Sequence, residues 1–156
     1  MNLKGKLMIA FLVAGLATVS VVLAQEKKIK REDLPPAVEK TVAEQSKGAT
    51  IKGFAKEVEK GKTYYEVELT VSGHGKDISM DKNGKIVEVE EEVSLDSLSP
   101  AIKEGLVKAA GAGKLDKVES LTKDGRLVAY EAVVKTGTKR SEIQIGPDGK
   151  KLAHQE

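Results

Sequence analysis

The chain of 156 residues carries 26 Lys+Arg against 24 Asp+Glu, a formal charge of +2, and it has no Cys, no Trp, two Phe and three Tyr. Without sulfur of that kind there is no disulfide framework, thiolate-bound zinc, cysteine nucleophile or lipid-anchored N-terminal Cys. So few aromatics argue against an aromatic-lined cofactor site or a stacking platform for single-stranded nucleic acid, and the length suits one ordinary domain or two small ones.

Residues 1–24 read as a secretory signal peptide. Lys4 and Lys6 form a positive start, Leu7 to Leu23 is apolar or small, and Val22-Leu23-Ala24 places small residues at −3 and −1 of a cleavage site. An uncleaved anchor is the rival, but the apolar run is short for a span and a cleavage site ends it. Cleavage between Ala24 and Gln25 is expected, giving a periplasmic or secreted protein with no stable membrane span. Removing Lys4 and Lys6 leaves 24 basic and 24 acidic side chains, so the mature chain is neutral. An exported, neutral chain is not a nucleic-acid binder on charge grounds. Leu, Ile, Val and Phe make up about 23% of it, just above the range of disordered chains.

Residues 25–33 form a charged leader, and its basic run Lys27-Lys28-Ile29-Lys30-Arg31 reads as a flexible tether. Beyond it the chain repeats at a spacing of about 65 residues. Leu34-Pro35-Pro36-Ala37-Val38 recurs as Leu98-Ser99-Pro100-Ala101-Ile102, Tyr65-Glu66-Val67 as Tyr130-Glu131-Ala132, and Asn83-Gly84-Lys85 as Asp148-Gly149-Lys150. Two tandem modules are expected, 34–93 and 98–156, joined by a linker over 94–97.

Each module opens with a helix. Pro36 and Pro100 suit a first helical turn, Ser99 is a plausible N-cap, and Gly48 and Gly111 or Gly113 mark the helix ends. Leu34, Val38 and Val42, like Leu98, Ile102 and Leu106, make one narrow apolar stripe per helix. Period-two alternation follows. Tyr65, Val67, Leu69 and Val71 share one face with Tyr64, Glu66, Glu68 and Thr70 opposite, and Val87 and Val89 alternate with Ile86, Glu88 and Glu90. Turns fall at 60–62, 72–75, Asn83-Gly84, 123–125, near Gly137 and at Asp148-Gly149, with Asn83-Gly84 read as a type I′ hairpin turn. The predicted fold class is α+β: two modules, each one helix on a four-stranded antiparallel sheet.

These landmarks resemble the PepSY-like domain of exported bacterial proteins. The resemblance rests on Leu34-Pro35-Pro36-Ala37-Val38, on Tyr65-Glu66-Val67-Glu68-Leu69 and on Asp81-Lys82-Asn83-Gly84-Lys85-Ile86-Val87-Glu88. It covers nearly all of 34–156 and is weaker in the second module, where the charge alternation fades at Tyr130-Glu131-Ala132-Val133-Val134. The family is related in fold to the β-lactamase inhibitor protein, a tandem of helix-plus-sheet modules that docks through its sheet face. PepSY domains also occur in propeptides of secreted peptidases, which they inhibit or chaperone. The resemblance implies no catalytic residues.

The residues add little chemistry. His74 and His154 are the two histidines, His74 in a predicted loop and His154 extending the last strand. Asp81-Lys82-Asn83-Gly84 begins like a calcium loop, but Lys85 and Ile86 stand where a ligand and a glycine are needed. No nucleophile elbow, phosphate loop or metallopeptidase helix is present. The expectation is a non-enzyme with no cofactor and no metal. The feature that stands out is the face turned away from the first helix. There Tyr64, Glu66, Glu68, Asp77, Asp81, Glu88 and Glu90 gather, with Ile86 among them and Glu91 and Glu92 continuing the charge. This set is the candidate partner-binding surface, for an envelope or secreted protein such as a peptidase. The alternative is a small-ligand or metal-binding envelope sensor. The first module carries 9 basic and 12 acidic groups and the second 11 and 8, a polarity that partner selection or weak self-association could exploit.

Overall fold

The computed structural model describes residues 26–59 and 61–156; the export signal expected over 1–24 lies outside them. A short strand β1 (Lys27–Ile29) precedes helix α1 (Pro36–Gln45). Strands β2 (Thr50–Glu59), β3 (Lys62–Val71), β4 (His74–Asp81) and β5 (Ile86–Glu92) follow. Helix α2 (Pro100–Ala110) then leads into β6 (Lys114–Lys123), β7 (Arg126–Thr136) and β8 (Lys139–Ile145).

All eight strands form one antiparallel sheet in simple sequence order, β1 to β8. The expectation of two tandem modules, each one helix on its own four strands, is overturned, and the question of whether the two halves share a sheet is answered. β5 pairs with β6 from Glu88↔Lys123 to Glu92↔Glu119, so the sheet runs unbroken across the repeat boundary. The physical reason is the edge. Two separate sheets would leave β5 and β6 with rows of unpaired N–H and C=O groups, and pairing them removes both edges. Nor are the strands divided four and four, since five precede α2 and three follow it. After β8 there is only an isolated bridge, Ile145↔Lys151, and His154 extends no strand. The basic run at 27–31 is not a free tether either. Lys27–Ile29 pair with Phe54–Lys56, and Arg31 binds the Glu39 carboxylate at 2.7 Å.

Both helices lie on the same side of the sheet. Val38 and Val42 of α1 pack on Val67, Leu69, Ile78 and Met80, while Ile102 and Leu106 of α2 pack on Val118, Ala132 and Ile145. The register carries the face across the seam: Val67 pairs with Ile78, Ile78 with Val89 and Val89 with Thr122, which shares its face of β6 with Val118. Ser99 caps α2 by accepting from the Ile102 N–H at 3.4 Å. Gly111 ends that helix in the left-handed region, φ 58°.

The type I′ signature sits elsewhere than at Asn83-Gly84. It falls on the two-residue loops Ser72-Gly73 (φ 51° and 90°) and Asp124-Gly125 (φ 47° and 76°). At 81–85 the Asp81 side chain accepts from the Asn83 and Lys85 N–H groups at 2.8 and 3.0 Å, and Gly84 alone has positive φ. A bulge between β4 and β5 accompanies this turn, with Ser79 opposite Glu88 but Met80 opposite Ile86. The extra residue, Val87, reverses the expected parity. Ile86 packs on the α1 core, and Val87 faces the other side of the sheet.

Candidate functional site

With both helices on one side, the other face of the sheet is left without a covering layer. Alternation assigns it the polar residue of each pair, and the register aligns those residues into rows across the strands. One row runs Glu68, Asp77, Glu90, Leu121, Ala129; a second runs Glu66, Ser79, Glu88, Lys123; a third runs Glu92, Glu119, Glu131, Gln144. Tyr64 stands between Glu57 and Asp81 in a fourth. Six of the seven residues singled out from sequence line this face directly: Tyr64, Glu66, Glu68, Asp77, Glu88 and Glu90. Asp81 lies at its edge, where its carboxylate is engaged by the 81–85 turn.

Glu92, read from the sequence as continuing the charge, belongs to the same face, as do Glu131, Glu57 and Glu119, which are outside the candidate set. Glu119 is the informative omission. It sits across the β5–β6 seam from Glu92 and is only 7% exposed, yet in sequence it lies beyond the expected module boundary. Lys117 neutralises it at 2.5 Å. Glu88 is paired with Lys123 at 3.4 Å, and Glu131 accepts from the Gln144 amide at 2.7 Å.

Glu90 has no such relief: it makes no hydrogen bond or ion pair among the described residues. Its neighbour across the seam is the buried Leu121, with buried Ala129 beyond. Loss of water there, then the charges of Glu119, Glu131, Glu88 and Asp77, push its carboxyl up to about 8. Burial also raises Glu131, against the Gln144 hydrogen bond, and raises Glu57 beside Glu59 and Glu88. The carboxylate oxygens of Asp77, Glu90 and Glu119 approach within 4.8 Å of one another, and those of Glu26, Glu66 and Glu68 do the same. Either set offers the oxygen donors a hard cation takes. At one end of the face an open cleft of about 730 Å³ lies between Glu57, Tyr64, Ser79, Glu88 and Lys123. The Lys85–Asp124 ion pair ties the two turns beside it.

A continuous antiparallel sheet with two helices on one side and a charged, uncovered face on the other makes this a two-layer α+β protein. The chain belongs to the PepSY-like family: its residues 20–88 and 63–152 match the family model described as "Putative beta-lactamase-inhibitor-like, PepSY-like". Among solved structures, a BLIP-like protein from Bacteroides fragilis is similar at 25% identity and a TM-score of 0.55, covering 79% of this chain and 86% of its own. A DUF2874 family protein from Bacteroides ovatus shares 21% identity with a TM-score of 0.59, over 76% and 84% of the two chains. A protein from Bacteroides eggerthii, described as "putative periplasmic", superposes with a TM-score of 0.62 at 17% identity over 78% and 88%. Among curated proteins none matches the chain. No helix among the described residues is long and apolar enough to cross a membrane.

Proposed function

We propose that this is an exported binding protein, released by cleavage after Ala24, that regulates or inhibits an envelope or secreted protein by docking it on the open sheet face. The observation that carries the reading is that eight strands present one uncovered face whose rows are dominated by carboxylates. Membership of an inhibitor-like family supports a role in binding rather than catalysis. So does the likeness to a BLIP-like protein. Charge on such a face selects among partners and steers their approach. A peptidase is the partner class that the family resemblance suggests.

The test is cross-linking in the producing envelope, followed by mass spectrometry of the captured proteins. Glu66→Lys combined with Glu68→Lys should abolish capture of the specific partner. Capture that survives this reversal unchanged overturns the reading. A second reading, a small-ligand sensor, is favoured by the cleft beside Tyr64 and Glu57. A panel of envelope metabolites and divalent cations would then raise the melting temperature, because a ligand of the folded state stabilises it.

A further inference from the structure

The open face is more specific than a generally acidic surface. Along β5 the side chains of Glu88, Glu90 and Glu92 point to it in succession, spaced by about 6.8 Å as alternate residues of a strand must be. An extended peptide laid along β5 presents its own alternate side chains at that same interval. The middle position differs from its neighbours. Glu88 already has Lys123, and Glu92 accepts from the Gly75 N–H at 3.0 Å. Glu90 is without a partner among the described residues, and the Asp77 and Glu119 carboxylates lie beside it.

We propose that the open face takes an extended segment of a partner protein carrying arginine or lysine at alternate positions, the central cation seating between Asp77, Glu90 and Glu119. This rests on the docking reading above and names the chemistry of the occupant. The case is charge complementarity at a fixed interval. Like charges directly opposite one another across a sheet are destabilising, and the row Glu92, Glu119, Glu131 sets three glutamates in succession. A guanidinium donates several hydrogen bonds to carboxylates in a fixed fork, and it would give Glu90 the partner it lacks among the described residues.

Seating a cation there requires Glu90 to ionise, so docking releases a proton. The groups facing Glu90 are Asp77 from β4, Glu88 and Glu92 along β5, Glu119 with its neighbour Lys117 from β6, and Glu131 from β7. Glu119, Glu131, Glu88 and Asp77 hold the proton on, and a docked cation opposes them.

Two peptides of identical composition test this, one alternating arginine with serine and one with its arginines in a single block. Their binding to the protein is followed by fluorescence anisotropy at pH 6 and pH 9. The alternating peptide should bind at least several-fold tighter than the block and gain on the order of tenfold in affinity from pH 6 to pH 9. Glu90→Gln, whose folding is checked by its melting temperature, should remove the pH dependence and the preference for alternation. Equal affinity for the two peptides overturns the proposal, as does an unchanged preference in Glu90→Gln. Displacement of the alternating peptide by stoichiometric calcium or spermidine also overturns it, by making the site one for a small cation. Failure here alongside loss of envelope capture in the Glu66→Lys, Glu68→Lys protein leaves the docking reading standing; surviving capture removes that reading instead.

Discussion

At the scale of single residues, Glu90 carries the clearest consequence. Its carboxyl titrates near 8 in the folded chain and near 4.5 when unfolded, so the folded state holds the extra proton between those values. Stability contributed by the neutral form is therefore present in full below about pH 4.5 and is lost as pH rises toward 8. Glu131 and Glu57 are shifted in the same direction and add to the trend. Glu39 and Asp116, each lowered chiefly by a hydrogen bond from a basic side chain, oppose it, but they sit in water where screening leaves little effect. Glu90→Gln should raise stability at pH 9 by on the order of 2 kcal/mol and change it much less at pH 5. Urea unfolding at the two pH values measures the difference, and an equal gain at both would contradict this titration. The alternation in Tyr64-Tyr65-Glu66-Val67-Glu68-Leu69 was enough to place Glu66 and Glu68 on a common polar face. The burial of Glu90 was not legible, because it depends on Leu121 and Ala129, residues that reach it through a strand pairing the sequence does not announce.

Among the elements, the repeated Asn83-Gly84 and Asp148-Gly149 show why a motif can be recognised for one reason and kept for another. A type I′ turn explains neither, since the loops with two positive φ angles are Ser72-Gly73 and Asp124-Gly125, although Asn83-Gly84 does turn β4 into β5. Instead each glycine lies beneath a helix. Gly84 carries its carbonyl to the Thr41 hydroxyl of α1 at 2.8 Å, and a Cβ there would collide with the Ala37 carbonyl. Gly149 meets Ala101 of α2 in the same way. Gly61 has nearly the same φ, 77° against 78°, with nothing near a Cβ. Substituting alanine at Gly61 therefore reports backbone strain alone, of about 1 kcal/mol, whereas Gly84→Ala adds the collision and should cost roughly 1–3 kcal/mol more. Paired thermal melts give the comparison, and equal losses would show that the close approach under α1 does not matter. The bulge at Val87 was equally hidden. It transfers Ile86 to the core, a local exception to period two that follows from how the 81–85 turn meets β5.

For the whole molecule, the seam between β5 and β6 decides the character of the protein. Two apolar clusters, one beneath each helix, are joined through a shared sheet. The prediction is that amides of 88–92 and 119–123 exchange as slowly as those at the centre of β3, through global unfolding only. Leu106→Ala, in the second cluster, should lower the unfolding free energy reported by amides of both halves by about 2–5 kcal/mol. Faster exchange confined to the seam, or a loss confined to 98–156, would show halves that unfold separately.

The sequence by itself determined the helices, most of the strands, which side of most of them is polar and the family, because these rest on spacing along the chain. Proline and serine at helix starts, apolar residues four apart and alternation of two are local properties. Only the tertiary structure decided that the repeat builds one sheet, that the basic leader adds a strand to it, and that Glu90 and Glu119 meet. Those outcomes depend on which strand edges find each other. Edge hydrogen bonding is made by backbone groups that every residue carries, so side-chain patterning leaves it unspecified.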